Sequence, residues 1–298
     1  MKQKKVNMKR IDSDTKVLIV GLGLIGGSYA KALTKKGCKV RAITRKDSDI
    51  EYSVKEGFIE DGTTEVTEEY LAWADIIVFS LYPHTLLEWL KKYAGLIKKG
   101  TVCTDVTGVK SCVVYDAQAL MPDGVEFIAA HPMAGRERSG VRHSDESVFI
   151  GANYIVVPTD KNTPEAVEYC KQLGEALGFY RVSVLDPESH DRMIAFLSQL
   201  THCIAVSLMC TNDTPGFEAY TGDSFRDLTR IAKINGEMWS ELFISNKQFL
   251  LAEMDNFINQ FTLLRNMLEN EDKEGMCRMM QISTQRREKF DKPKVKEG

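Results

Sequence analysis

The run Val17-Leu18-Ile19-Val20-Gly21-Leu22-Gly23-Leu24-Ile25-Gly26 spaces its glycines as G-x-G-x-x-G, between an apolar stretch and a helical pattern. That spacing suits a pyrophosphate. Gly21 permits a tight turn, Gly23 lets the backbone approach the phosphates, and Gly26 lets helix and strand pack closely. Leu22, Leu24 and Ile25 complete the loop. The helix opening there turns its N-terminal amides toward the phosphate charge. A dinucleotide is therefore expected. An NAD site usually has an acid at the tip of the second strand, roughly 20 residues on, bonding the ribose 2′-hydroxyl. Here the tip reads Thr44-Arg45-Lys46, and acids appear only at Asp47 and Asp49. A hydroxyl followed by two cations suits a 2′-phosphate, so NADP is expected over NAD. The alternative is that Arg45 and Lys46 are solvated loop charges.

Other reactive groups follow later apolar runs. Ser80-Leu81-Tyr82 lies at the end of the run Ile76–Leu81; Asp105, Thr107 and Gly108 follow Val102–Thr104; His131 to Gly135 follows Phe127–Ala130. In doubly wound sheets ligands lie beyond the carboxyl ends of the strands. Gly23, Ser80, Thr107 and His131 are thus expected along one edge. His131 is the candidate general base, because neutral imidazole, with an unperturbed pKa of about 6.5, takes protons near working pH.

The elements that must hold these groups come in two styles. From Lys16 to about Leu185, short apolar runs alternate with helical patterns at Leu24–Lys36, Ser48–Glu56, Leu86–Ile97, Val109–Leu120 and Pro164–Leu177. Alternation of this kind predicts an α/β fold with a Rossmann-type, doubly wound, mostly parallel sheet, over residues 13–186. Asp186-Pro187-Glu188 is then a helix start, with a capping oxygen, proline in the first turn and an acid on the dipole. A long apolar-rich helix is expected to Cys210, a loop to Asp223, and further helices after Ser224. Phe243, Leu250, Met254, Phe257, Phe261, Leu264 and Leu268 form a seam suited to a partner helix. Residues 187–290 read as an all-α dimerisation domain.

Composition narrows the class. The 298 residues carry 39 Lys+Arg against 42 Asp+Glu, a formal charge of −3, which argues against a nucleic-acid binder. No uninterrupted apolar run reaches the roughly 18 residues of a membrane span, and no secretory signal is expected. The 7 cysteines contain no CxxC pair and read as reduced thiols in a cytoplasmic protein. The 5 histidines, His84, His131, His143, His190 and His202, lie in no metal-ligand spacing. His190, beside Asp191 in a first helical turn, reads as capping or packing.

Together, Asp105-Val106-Thr107-Gly108-Val109-Lys110-Ser111 and His131-Pro132-Met133-Ala134-Gly135 resemble the prephenate/arogenate dehydrogenases of tyrosine biosynthesis. Ser198-Gln199-Leu200-Thr201-His202 is similar to that family's S-H-L-P-H element. Phe225-Arg226-Asp227-Leu228-Thr229-Arg230-Ile231-Ala232, followed by Trp239, is similar to its F-x-D-x-T-R-I-A…W block. The likeness runs from about residue 16 to about residue 285. It implies a homodimer acting on prephenate or arogenate, with His131 as base, Arg230 as carboxylate clamp, and His202 and Ser198 on the substrate side. Trp239 matches a position that reaches toward the neighbouring subunit's site. Gly135 and Arg136 belong to a substrate-side loop.

The chain departs from the pattern in places. The family serine that bonds the catalytic histidine falls on Gly108, with Thr107 or Ser111 as substitutes. Gln199 and Thr201 replace a histidine and a proline.

Such a substrate fixes the chemistry. Hydride leaves C4 for the nicotinamide, the ring carboxylate departs as CO2, and the ring becomes aromatic. The protein must hold the reacting atoms together and remove the hydroxyl proton. A guanidinium suits the dianion, because it grips a carboxylate through two parallel hydrogen bonds. Two further readings are a β-hydroxyacid-type dehydrogenase and a non-catalytic NADP-sensing protein. The first usually relies on a helical lysine, and Pro187–Cys210 has none. Retention of His131, His202 and Arg230 opposes the second.

Overall fold

A computed structural model describes residues 10–135 and 138–291. Packing divides the chain into residues 1–247 and 248–298. The first unit opens with β1 (Lys16–Val20), α1 (Leu24–Lys35), β2 (Lys39–Ile43), α2 (Asp47–Lys55), β3 (Asp61–Thr63) and α3 (Glu68–Trp73). It continues with β4 (Ile76–Phe79), α4 (Pro83–Tyr93), β5 (Val102–Asp105), α5 (Val114–Ala119) and β6 (Glu126–Phe127). These strands form one parallel sheet in the order β3-β2-β1-β4-β5-β6. The order reverses between β1 and β4, the switch point where such sheets take a ligand.

Successive residues of β1 serve opposite faces. Val17 and Ile19 join the core that holds Tyr29 and Leu33 of α1, whereas Leu18 and Val20 join the one that holds Leu86 of α4. Burial on both faces explains why the strand is continuously apolar.

The apolar run around Phe127–Ala130 behaves differently from the expected single strand. Ile128 interrupts it; β6 stays with the parallel sheet, and β7 (Ala129–Pro132) joins a second sheet with β8 (Asn153–Val157) and β9 (Arg181–Val184). β7 and β8 pair antiparallel, β8 and β9 parallel, with α6 (Pro164–Ala176) between them in the chain. His131 is therefore inside a strand, opposite Ile155, rather than beyond one. The helix expected from Val109 starts only at Val114. A side chain takes the backbone before it: the Asp191 carboxylate accepts the amides of Lys110 and Ser111 at 2.8 Å each.

After the second sheet come α7 (Pro187–Ile194), α8 (Leu200–Cys210), α9 (Asp223–Thr229) and α10 (Gly236–Ser245). Asp186 caps α7 as its sequence predicts, accepting from the Ser189 amide at 2.8 Å. Between α7 and α8 a π-type turn, Ala195–Gln199, widens the helix and buries Gln199. The stretch Pro187–Cys210 is long and apolar enough to cross a membrane by length and average hydropathy, although polar residues interrupt its apolar runs. The core helix of a soluble protein passes the same test.

α11 (Lys247–Glu269), all but its first residue in the second unit, and α12 (Lys273–Glu288) follow. The expected seam is split, because Phe243 belongs to α10 and the helix breaks at Asn246. On α11, Phe261 and Leu268 are 64% and 66% exposed.

Candidate active site

The glycine turn is built by what is missing. Gly21 has φ +101°, and a Cβ there would stand 2.5 Å from Ser80 O; one at Gly26 would stand 2.0 Å from Gly21 O. Both positions are closed to any side chain. A Cβ at Gly23 meets nothing within 4 Å, so the room for a pyrophosphate lies there. Gly23 caps α1 without a side-chain bond, leaving the first-turn amides to an anion. Ser80 and Leu81 abut Gly21, and Thr44 Oγ1 accepts from the Leu22 amide at 3.5 Å. Arg45 and Lys46 are exposed beside it, and Tyr82 is exposed before α4. These residues fit a dinucleotide.

Asp105 and Thr107, expected to face the cofactor, are buried and engaged elsewhere. Asp105 Oδ2 accepts from Lys110 Nζ at 2.7 Å, from the Thr107 amide at 3.0 Å and from the Thr107 hydroxyl. Its Oδ1 accepts from the Ala130 amide at 3.2 Å. Lys110, fully buried, also donates to Ala130 O at 2.5 Å, so the carboxylate and ammonium tie β5 to β7 just before His131. The side chains of Asp105 and Thr107 are thus engaged within the protein.

His131 Nδ1 lies 2.9 Å from His190 Nε2, and His190 Nδ1 lies 2.8 Å from Asp191 Oδ1. His190 is fully buried. Burial, with the neighbouring His190 and Lys110, holds the His131 imidazole well below its usual pKa. Burial also lowers His190, outweighing Asp191. For Asp191, burial pushes upward, but hydrogen bonds from His190 and the amides of Lys110 and Ser111 win, and the carboxyl sits below its ordinary value. The pair is thus a neutral imidazole on an ionised carboxylate. Of the two roles the sequence suggests for His190, capping falls to Asp186, while the ring is packed in the interior; its bond to the adjacent Asp191 goes beyond both.

Gly108 lies beside the base: a Cβ there would be 3.9 Å from His131 Nε2 and 3.7 Å from Leu242. The proposed substitutes for the missing serine do not reach the imidazole. Thr107 is held by Asp105, and Ser111 Oγ is buried with no hydrogen-bond partner among the described residues. The contact comes instead on the other nitrogen, from His190.

Helix α10 reaches this place from the helical side. Gln199 Nε2 donates to Leu242 O at 3.0 Å, while Asn246 Nδ2 donates to Gln199 Oε1 at 2.7 Å and to Asp191 O at 2.9 Å. One turn before Leu242, Trp239 stacks on His202, with centroids 3.7 Å apart. His202 Nδ1 donates to Ser198 O at 2.8 Å, which orients the ring. Arg230 is exposed at the end of α9, in a turn that packs on α8. Arg226, on the same helix, pairs with Asp223 at 2.6 Å. Gly135 is exposed, and Arg136 lies outside the described residues.

A doubly wound sheet with a dinucleotide turn, followed by a small second sheet that carries a buried histidine pair and by helices beside it, is the build of a nicotinamide-dependent dehydrogenase. Comparison with known proteins gives the family. Residues 29–182 match the prephenate dehydrogenase nucleotide-binding domain, and residues 186–282 match the prephenate dehydrogenase dimerization domain. The chain is 32% identical over 269 residues to the prephenate dehydrogenase of Bacillus subtilis, covering 88% of this chain and 72% of that one. Among solved structures it resembles prephenate dehydrogenase from A. aeolicus in complex with hydroxyphenyl propionate and NAD+. The TM-score is 0.85 at 30% identity, over 93% of this chain and 99% of that one. Synechocystis arogenate dehydrogenase gives a TM-score of 0.80 at 25% identity, over 93% and 100%. The chain belongs to the prephenate dehydrogenase family.

Proposed function

We propose that the protein oxidatively decarboxylates prephenate or arogenate, with His131 taking the hydroxyl proton. The observation that carries this reading is the bonded series His131–His190–Asp191, which leaves His131 Nε2 beside Gly108 for a ligand. A bound nicotinamide supplies the acceptor for the C4 hydride. The lowered pKa keeps the imidazole neutral, so it is ready as a base at working pH. Arg230 holds a substrate carboxylate, His202 and Ser198 line the substrate side, and Trp239 fixes His202 by stacking. Thr44, Arg45 and Lys46 favour NADP over NAD. In this reading residues 13–186 bind the dinucleotide, and residues 187–290 bind substrate and join two copies into a homodimer. The exposed apolar side chains of α11 support that pairing. The protein acts in the cytoplasm.

The test is a four-way assay, each substrate with NAD and with NADP. The reading expects turnover of at least one substrate, faster with NADP at subsaturating cofactor. No turnover in any of the four combinations would remove it.

A further inference from the structure

The hydrogen-bond pattern assigns the protons of the buried series. Asp191 is ionised and already accepts two backbone amides, so it can only accept from His190. The His190 proton is therefore on Nδ1, and its Nε2 is a bare acceptor. His131 must then donate from Nδ1, which leaves its own Nε2 bare. The carboxylate thus sets the tautomer of the base through an intervening imidazole.

We infer that His190 and Asp191 are positioning residues that also store the substrate's proton during the reaction. The inference rests on the reading of His131 as the base. As the C4 hydride leaves, the hydroxyl proton binds His131 Nε2. The Nδ1–H bond of His131 breaks, an N–H bond forms on His190 Nε2, and the new imidazolium sits against Asp191 Oδ1. When CO2 departs, the electron pair of its C–C bond enters the ring and makes the C4 oxygen a phenolate. That oxygen recovers the proton from His131 Nε2, and His190 returns its proton to Nδ1. Substrate and oxidised cofactor become phenol, CO2 and reduced cofactor with no net proton taken up or released. A buried store for one proton therefore suffices, and no route to solvent is required. Lys110 and Asp105 face the same space as a closed ion pair, so they hold the field constant while the proton moves.

Single-turnover formation of reduced cofactor, followed in mixtures of H2O and D2O, tests this. In the wild type two protons move together, so the rate should bow with deuterium fraction. His190→Gln keeps an acceptor for His131 Nδ1–H but cannot be protonated. It should slow the step by roughly 10- to 100-fold, as loss of a supporting partner does elsewhere, with a linear deuterium dependence and unchanged KM. His190→Ala, read with and without free imidazole, is the second variant: imidazole should restore both rate and curvature. Wild-type rate and curvature in His190→Gln would overturn the inference, as would failure of imidazole to rescue a folded, cofactor-binding His190→Ala. His131→Asn separates the two claims: if it is inactive while both His190 variants behave as wild type, the base stands and the proton store does not.

Discussion

The glycine turn and the histidine series do comparable work by opposite means. At the turn, side chains are absent: Gly21 and Gly26 have no space for one, and Gly23 leaves its space to a ligand. At the histidine series, side chains fill a buried space and satisfy one another, from Asp105–Lys110 through His131–His190 to Asp191–Asn246. A phosphate site can be solvated and local, because backbone amides supply the donors. A base that must stay neutral needs burial, and burial demands partners for every polar group. The first region should therefore tolerate changes of charge, and the second should not.

The largest effect expected is on stability in the second region. Lys110→Met leaves the fully buried Asp105 carboxylate without its ammonium. Breaking such a pair costs about 3–5 kcal/mol, and denaturant unfolding should read that loss, while the dissociation constant for cofactor changes little below the melting temperature. A Lys110→Met protein as stable as wild type would dissolve the contrast.

Acid should also single out the second region. His131 and His190 titrate below their ordinary value in the folded chain. The unfolded chain, with histidines near 6.5, then binds protons that the folded one refuses, so stability falls as pH drops below about 6.5. Above that pH these two groups contribute no slope. Melting temperatures across a pH series should show this decline, shallower in His131→Asn. A rise in stability on acidification would contradict the buried neutral pair.

The smallest effect belongs to the turn. Arg45→Asp removes an exposed cation and supplies an acceptor, so preference should move from NADP toward NAD. At an exposed site the change is about 1 kcal/mol, roughly fivefold in the ratio of kcat/KM values. An unchanged ratio would take the selector away from Arg45.

The two regions also differed in how far the sequence revealed them. The glycine turn and its switch-point neighbours Ser80 and Leu81 were legible because their meaning lies in short spacing next to apolar runs. The histidine series joins residues 59 apart, and the Asp191 cap on Lys110 spans 81, so no local pattern announces either. Asp105 and Thr107 stand at the expected edge, and only the fold shows Lys110 turned inward to meet their side chains. The edge strand β3, Asp61-Gly62-Thr63, has no apolar residue and exists through its pairing with β2. Ile128 hid a change of sheet inside one apolar run, and that change moves His131 into β7.

The most direct test of the account is the split between kcat and KM in two variants. His131 acts as the hydroxyl proton leaves, so His131→Asn should lower kcat by about 10²–10⁴-fold with KM nearly unchanged. Arg230 holds a carboxylate before and during reaction, so Arg230→Ala should chiefly raise KM, by roughly 10- to 150-fold for a lost charged hydrogen bond. Cofactor affinity should stay near wild type in both. Full turnover by His131→Asn, or the reverse pattern with Arg230→Ala inactive at saturating substrate and His131→Asn active, would contradict the assignment of the base.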